Sequence, residues 1–239
     1  MKDKIYNILK EYCIAHNIIP EKRELKRQNW FEIANNILKE ININDLYIEP
    51  IINDIDKIKF LRNKKTSKFF NSNVELNTKY QESVCKNIKT LTFYSLYPTL
   101  IIKLVDNNIM KIENVNHYTL FKYLFINRAY FKNTDMYYII KIFTNYFYGI
   151  YYSDKTFENF NMYRSFLYQS FKNLLKDNLI YYDTDTVYYF DDNYTFNYDL
   201  PYEIEELKEF IIFRKKKCIE IDNNNNIKYK GFRQVNKSK

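Results

Sequence analysis

Only two glycines, Gly149 and Gly231, occur in 239 residues. An average chain carries about 7% glycine, the residue that reaches left-handed backbone and close chain approach at least cost. A chain that almost dispenses with it must turn on other residues, and the two positions that keep it are expected to do so for backbone reasons. The tract Asp222–Asn226 (DNNNN) illustrates the substitute. Asn and Asp tolerate left-handed conformations, so it reads as a hairpin turn.

Hydrophobic spacing divides the rest. Residues 1–61 read as helices: Ile5, Ile8, Leu9, Tyr12 and Cys13, then Trp30, Ile33, Ala34, Ile37 and Leu38, recur at helical intervals, and Ile51, Ile55, Ile58 and Leu61 suggest a third helix. Pro20 and Pro50 punctuate them. The basic stretch Arg62–Lys68 is either a phosphate-facing loop or linker, or a solvated charge run. Ile88–Tyr94 is β-like, residues 117–148 are helical, and residues 157–177 form an amphipathic helix. Leu179–Tyr182 and Val187–Phe190 read as two strands around an acidic turn. Tyr202–Lys208 reads as a short helix, and Phe210–Phe213, Cys218–Ile221 and Ile227–Tyr229 as strands. The order predicts an α+β domain with an antiparallel sheet, divided into a helical N-terminal region, 1–84, and a second region, 85–239.

Composition narrows the function. A net charge of +8 suits a polyanionic partner, because Lys and Arg replace counterions along a phosphate backbone. The heavy use of Tyr, Asn, Ile and Lys also fits an AT-rich genome, so part of that excess is compositional. Cys13, Cys85 and Cys218 are scattered, and His16 and His117 lie far apart. This argues against a disulfide framework, a zinc site or a histidine metal site, and suits a reducing compartment. No run approaches the roughly 20 apolar residues that cross a bilayer, and the charged stretch Met1–Lys10 is no secretory signal. The expectation is an intracellular protein without a membrane partner.

The chemistry gathers at Asp183-Thr184-Asp185. Carboxylates at i and i+2 point to one side of the pleat, where a cation relieves their repulsion, and hard oxygens suit Mg²⁺. An isolated motif of this kind is more often a surface turn. Here, however, TFYSLYPTLI (Thr92–Ile101), KIFTNYFYG (Lys141–Gly149) and YYDTDT (Tyr181–Thr186) occur in that order, followed by FRKKKCIEI (Phe213–Ile221) and IKYKGF (Ile227–Phe232). The chain resembles the family B DNA polymerases over roughly residues 85–239. That family's motifs read D-x-x-S-L-Y-P, K-x-x-x-N-S-x-Y-G and Y-G-D-T-D-S, with a K-K-x-Y strand and a K-G stretch leading to the thumb.

The resemblance implies a polymerase palm with short helical fingers inserted at about 103–150. Asp185 would be the main ligand of a two-metal Mg²⁺ site, with Asp183 beside it, and Lys141 would reach the incoming deoxynucleoside triphosphate. Arg128 and Lys132 would add a second cation, Ser95 and Leu96 would offer backbone N–H groups, and Tyr97 would stack under the sugar. Asn145, Tyr148 and Gly149 would lie along the nascent base pair. Lys215, Lys216 and Lys217, on a strand, with Lys230 and Gly231, would hold the DNA primer–template. Without the motif frame, Tyr97 and Tyr148 read as core aromatics and Lys141 as a solvated lysine. A solvated edge strand is the bland reading of the lysine cluster.

The departures matter as much. Thr92 stands where the first motif opens with an aspartate that both metals share. A neutral hydroxyl is a poor substitute, so the metal site is expected to be incomplete and template-directed DNA synthesis impaired. Tyr182, Tyr146 and Cys218 replace the family's glycine, serine and tyrosine. No proofreading exonuclease motif is recognisable in 1–84, and the chain ends where a thumb is expected. It therefore reads as a degenerate copy, a fragment of a split enzyme, or a minimal polymerase whose protein partner supplies exonuclease or thumb. A viral, phage or mobile-element replication site is the setting considered. The alternative is a catalytically inactive nucleic-acid-binding or replisome scaffold subunit.

Overall fold

A computed structural model describes residues 2–16, 27–46, 74–151, 158–191 and 193–232. The expected third helix and the basic stretch Arg62–Lys68 lie outside the described residues. The chain groups into two compact units, Met1–Ile55 with Tyr97–Phe160, and Asp56–Leu96 with Asn161–Lys239.

The first unit is helical: α1 (Lys2–Ala15), α2 (Arg27–Glu40), α3 (Leu96–Asp106), α4 (Val115–Asn127) and α5 (Asp135–Tyr151). Apolar residues at i, i+3, i+4 and i+7 make α2 amphipathic, and Trp30, Ile33, Ala34 and Ile37 are all buried. Trp30 stacks on Phe143 of α5 at 4.8 Å and donates its indole N–H to the Phe143 carbonyl at 3.1 Å. Its one polar atom is thus satisfied inside the core. Asn114 starts α4 by accepting the His117 N–H at 3.0 Å, which satisfies one of the unpaired donors of a helix start. Asp106 at the end of α3 accepts the Tyr118 hydroxyl at 2.7 Å and pairs with Lys122 at 2.6 Å. These contacts tie α3 to α4.

The second unit is a seven-stranded sheet with α6 (Glu158–Leu175), which contributes from Asn161 onward. Its strands are β1 (Val74–Leu76), β2 (Ser83–Phe93), β3 (Leu179–Asp183), β4 (Thr186–Phe190), β5 (Tyr202–Arg214), β6 (Lys217–Asp222) and β7 (Ile227–Lys230). Their order is β1-β3-β4-β2-β5-β6-β7, every pair antiparallel. The first strand falls within the region expected to be helical. Tyr202–Lys208, expected as a short helix, is instead the first half of β5. Glu and Leu there favour helix locally, but β2 offers a continuous edge from Phe93, opposite Tyr202, to Ser83, opposite Ile212. That ladder overrides the local preference. Asp222–Asn226 makes the expected turn, its chain ends joined by Asp222 N–H to Asn226 O at 3.1 Å.

The two sheet faces are distinct. Phe93 and Tyr182 pack on Phe171 of α6, with ring centroids 6.0 and 6.3 Å apart. Side chains alternate along a strand, so Thr92 and Asp183 project to the face away from α6. Among the described residues no helix is long and apolar enough to cross a membrane.

Candidate functional site

Only two residues, Thr184 and Asp185, connect β3 to β4. Asp183 pairs with Thr186, and the Asp185 N–H reaches back to the Asp183 carbonyl at 2.6 Å. Thr184 between them has φ +58, left-handed backbone that is a genuine outlier for a β-branched residue. Such strain costs about 1–3 kcal/mol and persists where the surroundings enforce it. Here the Tyr182 hydroxyl holds the Thr184 carbonyl at 3.0 Å, and the Phe93 N–H holds the Asp185 carbonyl at 2.9 Å. Both carboxylates are fixed in turn. Asp183 accepts the Thr184 hydroxyl at 3.1 Å and the Tyr181 hydroxyl at 3.3 Å, and Asp185 accepts the Thr186 hydroxyl at 3.3 Å.

Thr92 stands beside this turn. It pairs with Thr186 across β2–β4, and its hydroxyl donates to the Thr186 hydroxyl at 3.2 Å. The result is a hydrogen-bonded row from the Thr92 hydroxyl through the Thr186 hydroxyl to the Asp185 carboxylate. On its other side Thr92 faces Glu203 of β5. Directly opposite residues share a sheet face, so Glu203 is an acid that strand pairing brings beside Thr92. Its carboxylate accepts the Tyr94 hydroxyl at 2.7 Å. Reading along the chain from Thr92 could not find it, because its nearness depends on β2–β5 pairing.

Burial pushes the Asp185 carboxyl above its ordinary range. Its own backbone N–H, the Thr186 hydroxyl and the charge of Lys230 oppose the shift, and Asp183 adds to it. Lys230 also serves a second buried acid. Glu220 on β6 is 7% exposed and pairs with Lys230 at 2.6 Å and Lys228 at 3.3 Å. It also accepts the hydroxyl of Tyr188. Burial pushes Glu220 upward, but Lys230, Tyr188 and Lys228 outweigh it and hold the carboxyl below its ordinary range. Glu220 and Tyr188 carry no motif signal.

Asp183 and Asp185 offer the oxygen donors one Mg²⁺ needs, with waters or phosphate completing its shell, and the desolvated Asp185 carboxyl is the group a cation would relieve. A second ion sharing a third carboxylate does not fit. Thr92 is neutral, and among the described residues no cluster of three His, Cys, Asp or Glu is placed to hold a metal.

The remaining expected residues fall as follows. Ser95 adopts φ +46 just before α3, so the Leu96 and Tyr97 N–H groups lie in the first turn of that helix. Leu96 is buried, and the Tyr97 ring meets Phe160 edge-on at 5.4 Å. In the helical unit Lys141 and Asn145 are exposed, one turn apart on one side of α5. Tyr148 and Gly149 lie in its last turn. Arg128 is held between the Phe125 and Tyr137 rings, 5.2 Å from each, and Lys132 is exposed on the following turn. Lys215 and Lys216 are not on a strand. They form the β5–β6 turn, with Lys216 at φ +61, and only Lys217 begins β6. A two-residue hairpin calls for left-handed backbone, and here Lys216 supplies it. Gly231, at φ +73, crosses this turn so closely that an added Cβ would lie 1.6 Å from the Lys216 carbonyl oxygen.

No protein-family model matches the chain, and no curated protein does. Solved structures do. The chain is similar to the phi29 DNA polymerase complexed with single-stranded DNA, at 9% identity and TM-score 0.51, covering 87% of this chain and 60% of that one. It is similar to the phi29 DNA polymerase complexed with primer–template DNA, at 11% identity and TM-score 0.49, covering 91% and 62%. It is also similar to the family B DNA polymerase of the hyperthermophilic archaeon Pyrobaculum calidifontis, at 12% identity and TM-score 0.46, covering 71% and 30%. The chain thus spans less than two thirds of each. At 9% identity the first likeness is one of fold, an α+β polymerase-like architecture.

Proposed function

We propose that this chain is the palm and fingers part of a family-B-type DNA polymerase, which binds primer–template DNA and deoxynucleoside triphosphates and whose template-directed synthesis is impaired at Thr92. One observation carries the reading. Two motif segments whose threonines are 94 residues apart meet at one strained acidic turn, through the row Thr92–Thr186–Asp185. Asp183 and Asp185 would hold one Mg²⁺, which supplies charge neutralisation on the triphosphate.

The chain's own residues do the positioning. Asp183 is held by Tyr181 and Thr184, and Asp185 by Thr186, so neither carboxylate must reorganise to receive charge. On this reading Lys141 serves the triphosphate, with Arg128 and Lys132 adding positive charge, and the first turn of α3, which begins at Leu96, presents backbone N–H groups and the positive end of the helix dipole to phosphate oxygens. Tyr97 stacks under the sugar, and Asn145, Tyr148 and Gly149 line the nascent base pair. Lys215, Lys216 and Lys217 hold primer-strand phosphates beside Gly231, while Lys230 is taken up by Glu220.

The second reading is a catalytically inactive nucleic-acid-binding scaffold with a polymerase-like fold. The missing third acid favours it, since no cluster of three metal-binding side chains occurs among the described residues. Titration with deoxynucleoside triphosphates in Mg²⁺ separates the two. Binding that Lys141→Ala abolishes supports the enzyme, and no binding at any Mg²⁺ concentration supports the scaffold.

A further inference from the structure

We propose that Phe213, Tyr229 and Phe232, flanked by the basic turn Arg214–Lys217, form a base-stacking platform for single-stranded nucleic acid; this rests on the reading of the chain as nucleic-acid-binding and names the form of ligand and the residues that take its bases. Three separate backbone devices bring the rings together. The pairing of β5 with β6 slips by one residue between Ile212 and Arg214, which leaves Phe213 in a bulge. Bulges re-aim a side chain, and Phe213 is 41% exposed where its neighbour Ile212 is buried. Tyr229 projects from the edge strand β7 and is 61% exposed. Gly231 turns left-handed against the Lys216 carbonyl, so that Phe232 lies across the hairpin. The Phe232 ring meets Phe213 edge-on at 5.5 Å and Tyr229 edge-on at 5.8 Å.

The charge around the rings fits a phosphate chain. Lys217 lies over the Phe232 ring at 4.8 Å and over Phe213 at 6.0 Å. Arg214, Lys215 and Lys216 are exposed, and among the described residues no carboxylate pairs with any of these four cations. Lys228 and Lys230 behave differently, because both are committed to Glu220. The turn therefore holds uncompensated positive charge beside uncovered aromatic surface. That pairing suits a single strand, whose bases stack on rings while its phosphates meet cations. A duplex keeps its bases stacked and would use only the cations.

The test titrates the full chain with labelled oligodeoxythymidylate and oligouridylate of about 12 nucleotides, within the usual site sizes, and with a duplex of the same length. Tyr229→Ala and Phe213→Ala are each expected to weaken single-strand binding at least ~5-fold, without changing its salt dependence. Lys215→Ala should instead lower the salt slope by roughly 0.7. Tyr229→Trp guards against misfolded variants: it should keep the affinity and show emission quenched by either oligonucleotide, over the constant signal of the buried Trp30. Unchanged affinity in both alanine variants with no quenching would mean that the rings only pack the hairpin, and would overturn the proposal. Duplex binding without single-strand binding overturns it while leaving the polymerase reading intact. Single-strand binding with quenching, in a chain that binds no deoxynucleoside triphosphate, upholds the platform and removes that reading. Binding of neither form ends both.

Discussion

Thr92→Asp tests the damaged site from two directions. The new carboxylate would stand opposite both Thr186 and Glu203, where directly opposed Cβ atoms lie about 5 Å apart. Thr186 cannot compensate, because its single proton already goes to Asp185. At an effective dielectric near 20, two unit charges about 5 Å apart repel by about 3 kcal/mol. In chelator the variant should therefore unfold about 6–12 °C below the natural chain, at the usual 2–4 °C per kcal/mol for this size. Mg²⁺ should reverse the loss, since a ligand at 100 times its Kd returns about 2.7 kcal/mol. The natural chain should respond to Mg²⁺ much less. Primer extension by the variant should exceed that of the natural chain by at least ~10³-fold, the scale of restoring one member of a catalytic unit. Thermal unfolding with and without Mg²⁺, run beside primer extension, checks both halves. Equal melting in chelator, no Mg²⁺ response and equal rates would together refute the assignment of Thr92 to a lost ligand position.

Two further perturbations probe the supports of the site. Gly231→Ala sets a Cβ 1.6 Å from the Lys216 carbonyl oxygen at left-handed backbone, and should cost at least about 2 kcal/mol in urea unfolding; an unchanged midpoint would show that the two strands do not cross this closely in solution. Glu220 titrates below its ordinary value near 4.5, because Lys230, Tyr188 and Lys228 overcome the upward push of burial. A depressed carboxyl stabilises the fold above its unfolded pKa, and that contribution fades as pH falls through the folded value. The stability gap between the natural chain and Glu220→Gln should thus be largest above about pH 4.5 and shrink on acidification; a gap independent of pH would contradict the pairing.

The sequence was legible where one segment carries its own pattern. The Asp183–Asp185 turn lies between two short apolar runs, and strands β3 and β4 follow those runs. The spacing of Trp30, Ile33, Ala34 and Ile37 matches a buried face of α2. Features that depend on two distant segments were not legible. Tyr202–Lys208 has the glutamates of a helix, and only the β2 ladder makes it a strand. Glu203 comes beside Thr92 through that same ladder. Lys215 and Lys216 read as strand in the sequence, and only the pairing of Arg214 with Lys217 makes them the turn between β5 and β6. Phe232 carries no signal of its own, because its place follows from the backbone one residue earlier.

Trp30 is the sole tryptophan of the chain and sits in the helical unit, packed on Phe143 with no exposed surface. Both units bury tyrosines, Tyr12, Tyr118 and Tyr123 in the helical one and Tyr181, Tyr188 and Tyr189 in the sheet unit. Indole emission, excited where phenols do not absorb, is therefore a signal of the helical unit alone, while heat absorption reports both units. Heating followed in both at once would reveal whether the units melt as one cooperative body or in succession.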